Sequence, residues 1–218
     1  MTATVAYSAS GAGAVVPTMV QVAPDGAYVI AALGTGGDAV FTFNTTTGVP
    51  TQAATLKVAS GTSDNAVTID SNSAYVYFAR GGTDSGTSGV ASYSLGSGGL
   101  LTPVQTLEAS GNTPYAVLLD STGAYAYTAN RADGTVSGYT VTGGTLAALA
   151  ASPFGAGSLV TALARDNSDK YVIAASFGGS SDLTLYALDA LTPGKLDAVA
   201  TAVSGTDPAG AIALAATH

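Results

Sequence analysis

The chain has 218 residues and a formal net charge of −8, and only 9% of its residues are charged. Its six Lys and Arg residues are too few for the clustered cations that nucleic-acid binding needs, so nucleic acid is excluded as a partner. No apolar run reaches the roughly 18 residues of a membrane-spanning helix, so we expect no membrane insertion. The absence of cysteine excludes disulfides and thiol chemistry.

The beginning of the chain, MTATVAYSAS, lacks the basic region and apolar core of a signal peptide, so none is predicted. The scarcity of Lys and Glu nevertheless favours an extracytoplasmic or secreted protein.

Four tyrosine-centred segments divide the chain at nearly equal intervals. They read AYVIAA at Tyr28, AYVYFA at Tyr75, AYAYTA at Tyr125 and KYVIAA at Tyr171, with differences of 47, 50 and 46 between their tyrosine numbers. A period in the forties that contains several short strands is typical of a β-propeller blade. The sequence therefore predicts an all-β protein built from repeated four-stranded antiparallel blades.

Each period contains the same predicted elements in the same order. An apolar first strand is followed by a turn rich in Asp, Asn, Ser and Gly, then by the tyrosine strand, a loop, a third strand and a fourth strand. We predict one domain over residues 1–218, with blades at about 16–60, 64–110, 113–152 and 158–203 and flanking strands at 2–9 and 208–216.

Four complete periods with a flanking strand at each terminus leave three ways to complete a ring. The chain forms a small five-bladed ring with a thin closing blade, or it is a fragment of a larger propeller. Alternatively, its exposed blade edges pair with a second copy to make a homodimer, because unpaired sheet edges favour association.

The repeats resemble the YVTN-type repeats of the lactonase family of β-propellers, which includes 6-phosphogluconolactonase-like proteins. The resemblance is carried by the AYVYFA and AYAYTANR cores, by the turn pattern that precedes them, and by the segment SPFGAGS at residues 152–158. It covers nearly the whole chain, although members of the family have more blades than the four periods found here. It implies hydrolysis of a sugar-type or other lactone.

Three residues at the ends of tyrosine strands are the candidates for ligand binding. Asn130 and Arg131 stand where the family has an Asn-Arg pair, and Arg80 aligns with Asn130 one period earlier. The resemblance implies that such arginines bind carboxylate or phosphate groups and polarise the lactone carbonyl, which suits the planar guanidinium. The alternative is that each arginine pairs with a loop aspartate such as Asp84 or Asp133.

A hydrolase also needs a base or an activated water, and the chain offers few. Glu108, the single glutamate, and Arg80 and Arg131 are weak catalytic candidates, whereas His218 is the terminal residue. One aspartate per loop, at Asp38, Asp84, Asp133 and Asp182, gives too few oxygens for calcium, so we interpret these residues as turn-forming and predict no metal. No phosphate-binding loop is present, and no cofactor is predicted.

Two functions follow from these observations. The first is a lactonase-like repeat protein that acts as a scaffold or as a binding module for a small molecule, completed by self-association. The alternative is a lactone hydrolase.

Overall fold

The computed structural model describes residues 15–203 and residue 214. The described chain forms four antiparallel sheets, each made from strands that are consecutive in sequence. The predicted all-β propeller fold with four-stranded blades is thereby confirmed. The predicted flanking strands, residues 2–9 and 208–216, lie outside the described residues, with the exception of Leu214.

The strand boundaries follow the tyrosine repeat, and each blade is named here by its order in the chain. Blade 1 contains β1 (Met19–Val22), β2 (Tyr28–Ala32), β3 (Asp38–Asn44) and β4 (Val49–Leu56). Blade 2 contains β5 (Ser63–Ile69), β6 (Tyr75–Gly81), β7 (Gly89–Leu95), a 3-10 turn (Ser97–Gly99) and β8 (Leu101–Ala109). Blade 3 contains β9 (Pro114–Leu119), β10 (Tyr125–Asn130), β11 (Thr135–Thr142), β12 (Thr145–Ala148) and β13 (Phe154–Gly155). Blade 4 contains β14 (Val160–Arg165), β15 (Tyr171–Ser176), β16 (Leu183–Leu188) and β17 (Leu196–Ala202).

An aspartate at the end of the first strand fixes the turn into the tyrosine strand. Asp70 Oδ1 accepts hydrogen bonds from the amides of Ala74 and Tyr75, at 2.6 and 2.7 Å. In the next two blades, Asp120 and Asp166 accept a hydrogen bond from the amide of the repeat tyrosine, at 2.9 and 2.8 Å. These side-chain bonds replace backbone bonds in the turn, as predicted for such residues.

Blade 3 departs from the predicted pattern at its fourth strand. The sequence predicted a strand through residue 152, but β12 ends at Ala148 and the short β13 returns to pair with β11. Gly138 explains the change, because a Cβ at this position would lie 2.9 Å from the ring of Phe154 and 3.0 Å from Leu149. The missing side chain leaves the space in which Phe154 is buried.

The cores lie between consecutive blades and join them into one array. Ile30 and Val40 of blade 1 pack with Val67 and Phe78 of blade 2, and equivalent clusters join blades 2 and 3 and blades 3 and 4. The aromatic residues of the third strands are largely buried: Phe41, Tyr93, Tyr139 and Tyr186, with Phe43 half-buried.

A tyrosine–glycine contact recurs at each blade junction. Its glycine precedes the fourth strand of the next blade: the ring of Tyr28 faces Gly99, that of Tyr75 faces Gly144, and that of Tyr125 faces Gly194. A Cβ at Gly144 or Gly194 would collide with the ring, so glycine is required for the close approach. The Tyr28 hydroxyl also accepts a hydrogen bond from the amide of Gly98, at 3.1 Å.

The described part of the chain contains no helix that is long and apolar enough to cross a membrane.

Candidate functional site

The first strands of all four blades line one central cavity of about 400 Å³. Consecutive first strands contact each other from β1 through β5 and β9 to β14, so their side chains converge on a common space. The cavity wall is formed by Pro17, Thr18, Met19, Asn65, Ala66, Tyr115, Ala116, Val117, Thr161, Ala162, Leu163 and Leu214. A cavity of this size accommodates a small organic ligand.

Two polar side chains of the cavity wall, those of Thr18 and Asn65, make hydrogen bonds to the neighbouring blade. Thr18 Oγ1 donates to the carbonyl of Ala32 at 3.0 Å and lies 3.2 Å from that of Asp64. Asn65 Nδ2 donates to the carbonyl of Pro114 at 2.8 Å. These hydrogen bonds hold the inner strands together. Because they use donor groups of Thr18 and Asn65, these side chains would bind a ligand mainly through their oxygen atoms, as hydrogen-bond acceptors.

Arg131 is not itself a lining residue of this cavity, but it stacks on Tyr115, an aromatic residue of the cavity wall. The guanidinium carbon is 5.5 Å from the centre of the Tyr115 ring, which is the distance of a cation–π contact. The Arg131 amide donates to the carbonyl of Thr113 at 3.0 Å, which fixes the loop beside the start of β9. Within residues 15–203, no carboxylate forms an ion pair with Arg131.

Asn130 is turned into its own blade rather than towards the cavity. It is fully buried, and its Nδ2 donates to Thr135 Oγ1 at 3.1 Å and to Ser137 Oγ at 2.9 Å. Its Oδ1 is buried without a hydrogen-bond donor among the described residues. The ligand-binding role predicted for Asn130 stays a prediction, and the structure places its side chain in the core of blade 3.

Arg80 forms a buried ion pair with an aspartate of the neighbouring strand. Its Nε and Nη2 donate to Asp64 Oδ1 and Oδ2, both at 2.7 Å, and Nη2 also lies 3.3 Å from the Tyr93 hydroxyl. Burial alone would lower the Arg80 pKa, but the hydrogen bonds and charge of Asp64 outweigh burial and raise it. The predicted loop partner Asp84 is therefore wrong, and the ligand-binding role predicted for Arg80 stays a prediction.

The sequence missed Asp38 as a member of this cluster. Strand pairing places Asp38 opposite Ala32, where the equivalent positions of blades 2 and 3 hold Val90 and Val136. Asp38 is thus the first residue of a buried strand and not the predicted loop residue, and it is only 1% exposed. Neither of its carboxylate oxygens has a hydrogen-bond donor among the described residues.

The surroundings of Asp38 favour its protonated form. Burial and then the charge of Asp64 raise the pKa of the Asp38 carboxyl well above its usual range, while Arg80 lowers it only in part. Two carboxylates cannot donate to each other, and only a protonated Asp38 could donate a hydrogen bond to Asp64, which also raises the Asp38 pKa. The cluster of Asp38, Asp64 and Arg80 therefore holds one cation, one carboxylate and one carboxyl that is driven towards neutrality.

Glu108 joins the outer strands of blades 2 and 3. Its Oε2 accepts from Gln105 Nε2 at 2.8 Å, and its Oε1 accepts from the amide of Ala148 at 3.3 Å. The bond to Ala148 connects the fourth strands β8 and β12, whereas the cavity is lined by the first strands. Glu108 is therefore not a member of the cavity wall.

Asp84 and Asp133, two of the other aspartates predicted to lie in loops, form a turn and a link between loops. Asp84 Oδ1 accepts from the amide of Thr87 at 2.9 Å, and Asp133 accepts from the Asn112 amide and side chain at 2.6 and 2.9 Å. Asp133 is thus a partner of Asn112 and not the predicted partner of Arg131. In the described ranges, no three His, Cys, Asp or Glu side chains are grouped to hold a metal ion. His218 lies outside the described residues.

Four-stranded antiparallel blades around a cavity formed by their first strands define a β-propeller. The family model "Lactonase, 7-bladed beta-propeller" matches residues 81–212, which is more than half of the 218-residue chain. The chain therefore belongs to this lactonase family. A comparison with curated proteins found no match to the chain.

Several solved structures share this fold at low sequence identity. The periplasmic gluconolactonase of Pseudomonas aeruginosa aligns with a TM-score of 0.74 and 19% identity, over 88% of this chain and 58% of that one. A candidate 6-phosphogluconolactonase from Bacteroides uniformis aligns with a TM-score of 0.70 and 21% identity, over 82% of this chain and 52% of that one. A similar protein from Bacteroides fragilis aligns with a TM-score of 0.70 and 17% identity, over 88% and 58%. The chain thus spans little more than half the length of these structures.

Proposed function

We propose that the chain is a lactone hydrolase that binds its substrate in the central cavity, with Arg131 as the group that acts on the carbonyl. The observation that carries this proposal is a guanidinium without an acidic partner among the described residues, stacked on a ring of the cavity wall. Membership of the lactonase family supports the reaction type.

Arg131 acts by stabilising negative charge. When water adds to the lactone carbonyl, the carbonyl oxygen gains negative charge, which the N–H groups of the guanidinium stabilise. The bond between the carbonyl carbon and the ring oxygen then breaks. The attacking water loses both of its protons: one goes to the ring oxygen, which becomes a hydroxyl, and the other goes to solvent, which leaves the new carboxyl group as a carboxylate. Loss of one such stabilising donor costs about 10²–10³ in rate in well-studied enzymes.

Tyr115 keeps the guanidinium in place without neutralising it. A cation–π contact is worth roughly 0.5–2 kcal/mol, depending on how far the cation is desolvated. Unlike an aspartate partner, an aromatic face leaves all five N–H donors of the arginine available for oxygen atoms. Arg131 is therefore better suited than Arg80 to bind a ligand.

The second candidate is a module that binds a lactone or hydroxy acid without hydrolysing it. It is favoured by the composition of the cavity wall, because its lining residues in the described part of the chain include no Asp, Glu or His to serve as a base. In this case Arg131 would bind the carboxylate of a hydroxy acid as an ion pair.

The two candidates are separated by following acid release from glucono-δ-lactone in a pH-stat, with calorimetric titration of gluconate in parallel. We expect wild-type turnover to fall by about 10²–10³ in Arg131→Ala, whereas Tyr115→Phe keeps the aromatic face and most of the activity. Arg165→Ala is the charge-matched control, since Arg165 pairs with Asp169 in a turn. Gluconate binding without turnover would support the binding module. Absence of both, or turnover unchanged in Arg131→Ala, would refute the role of Arg131.

A further inference from the structure

At each end of the described array of blades, one residue of the repeated tyrosine–glycine contact lies on an exposed surface. Blades 1, 2 and 3 each present a repeat tyrosine to a glycine of the following blade, and these glycines, Gly99, Gly144 and Gly194, are buried. In blade 4 the repeat tyrosine, Tyr171, is 37% exposed. The equivalent glycine of blade 1, Gly48, is exposed, and no atom of the described residues lies within 4 Å of the position its Cβ would take.

The side chains around Tyr171 are exposed on the same face of blade 4. Two residues after the repeat tyrosine, Ile30, Tyr77 and Tyr127 are at most 1% exposed in blades 1 to 3, whereas Ile173 is only half-buried. On the third strand, Leu183 pairs with Ala175 as Val136 pairs with Ala129, yet Leu183 is 37% exposed and Val136 fully buried. The residues Tyr171, Ile173, Leu183 and Leu185 are called the tyrosine face of blade 4.

The complementary surface of blade 1 is open at only one end. At the covered end, Leu33 and Phe41 are already buried, with Val15 packed against their cluster. The opposite end, at the turn that contains Gly48, is open. Gly48 has the same left-handed backbone as its equivalents, with φ of +71° against +79° to +82°, so this turn already has the conformation that receives a tyrosine ring.

We propose that the tyrosine face of blade 4 binds the Gly48 turn of a second copy of this chain. A second copy fits this face because the same chain provides both halves of a contact that it forms three times internally. The association is head to tail, so each copy uses two different surfaces. Such contacts close into a ring or extend into a chain of copies. The inference does not depend on lactone binding.

The first experiment is light scattering coupled to size exclusion, across a range of concentrations. Wild type is expected at twice the chain mass of 21.1 kDa or more. Tyr171→Ser removes the ring and is expected to return the protein to the chain mass. Its control, Leu191→Ser, removes an apolar side chain of the same blade that is 93% exposed and should leave the assembly intact.

A glycine pair tests the other surface. Gly48→Asn adds a side chain where the ring would lie, and Asn tolerates a left-handed backbone. Gly123→Asn is its control, because Gly123 has the same φ of +71° and equally open surroundings. We expect only Gly48→Asn to dissociate the assembly, with far-UV circular dichroism showing that both variants are folded.

Mixing identifies the head-to-tail arrangement. The Tyr171→Ser chain keeps its Gly48 turn and the Gly48→Asn chain keeps its tyrosine face, so an equimolar mixture should form a dimer although neither variant associates alone. Wild type at the chain mass at every concentration would overturn the proposal and would indicate that other residues of the same chain cover the face. Assembly unaffected by both variants, or a mixture that stays at the chain mass, would overturn it as well.

Discussion

Asp38 is expected to make the protein less stable as the pH rises, and its replacement should remove this effect. The carboxyl is 1% exposed, has no hydrogen-bond donor among the described residues, and lies beside Asp64. The perturbations are Asp38→Asn, which keeps the shape without the charge, and Asp38→Val, which introduces the residue found at the equivalent positions Val90 and Val136.

The sign of the pH dependence follows from the direction of the pKa shift. Burial and the charge of Asp64 raise the pKa of Asp38 in the folded state, so the folded protein binds the proton more tightly than the unfolded chain. Below the pKa of the unfolded chain, about 3.9, both states are protonated and the raised pKa has its full stabilising effect. This stabilisation is lost as the pH rises through the folded-state pKa.

The magnitude is up to about 1.4 kcal/mol for each pH unit between the two pKa values. For a chain of this length, a change of 1 kcal/mol shifts the melting temperature by roughly 2–4 °C. The assay is urea unfolding of wild type and both variants between pH 3.5 and pH 8. The stability advantage of Asp38→Asn over wild type should be smallest at the acid end and grow towards pH 8. A difference that is independent of pH, or that grows as the pH falls, would refute the reasoning.

Two further substitutions test the blade contacts and the buried ion pair. Gly143 and Gly144 both have a left-handed backbone, which costs alanine about 1–2 kcal/mol of stability at either position. Gly144→Ala also places a Cβ against the Tyr75 ring and should lose about 1–3 kcal/mol more, whereas Gly143, in the same turn, has open space around it. Equal unfolding midpoints of the two variants in guanidinium chloride would contradict the packing argument. Asp64→Asn leaves the Arg80 guanidinium without its carboxylate partner and should cost about 3–5 kcal/mol in urea unfolding, and a loss below about 1 kcal/mol, as for a surface pair, would contradict the assignment.

The fold was predictable from sequence because the blade repeats with a regular period. The repeat tyrosines mark the second strands, and the aspartates before them mark the turns, so both could be placed by counting residues. The short β12 and the return of Phe154 could not be predicted in this way. They depend on the space that Gly138 leaves across the sheet, and a single strand pattern does not contain that information.

The candidate site was predictable only in part. The loops differ in length between blades, so the sequence alone does not show which residues of neighbouring strands lie opposite each other. Asp38 was grouped with Asp84 as a loop residue, although the pairing of β2 with β3 places Asp38 inside the sheet. Similarly, Asp64 lies directly opposite Arg80 across the hairpin, but a search for partners in the following loop points to Asp84 instead. Counting back from the tyrosine turn through the first strand would have found this pair.

The contact of Arg131 with Tyr115 was beyond the sequence argument for a different reason. The two residues belong to different elements, the loop after β10 and the first strand β9, and only the packed blade brings them together. The sequence singled out Arg131 through its family resemblance, and the structure provides the stacked geometry.

The proposed function requires that the ligand of this propeller binds in the cavity lined by the first strands. Calorimetric titration of gluconate into wild type and Ala116→Phe tests this, because Ala116 lines the cavity of about 400 Å³ and the larger ring would fill part of it. We expect wild type to bind gluconate and Ala116→Phe, with an unchanged circular dichroism spectrum, not to bind it. Equal binding by both proteins would show that the ligand binds elsewhere.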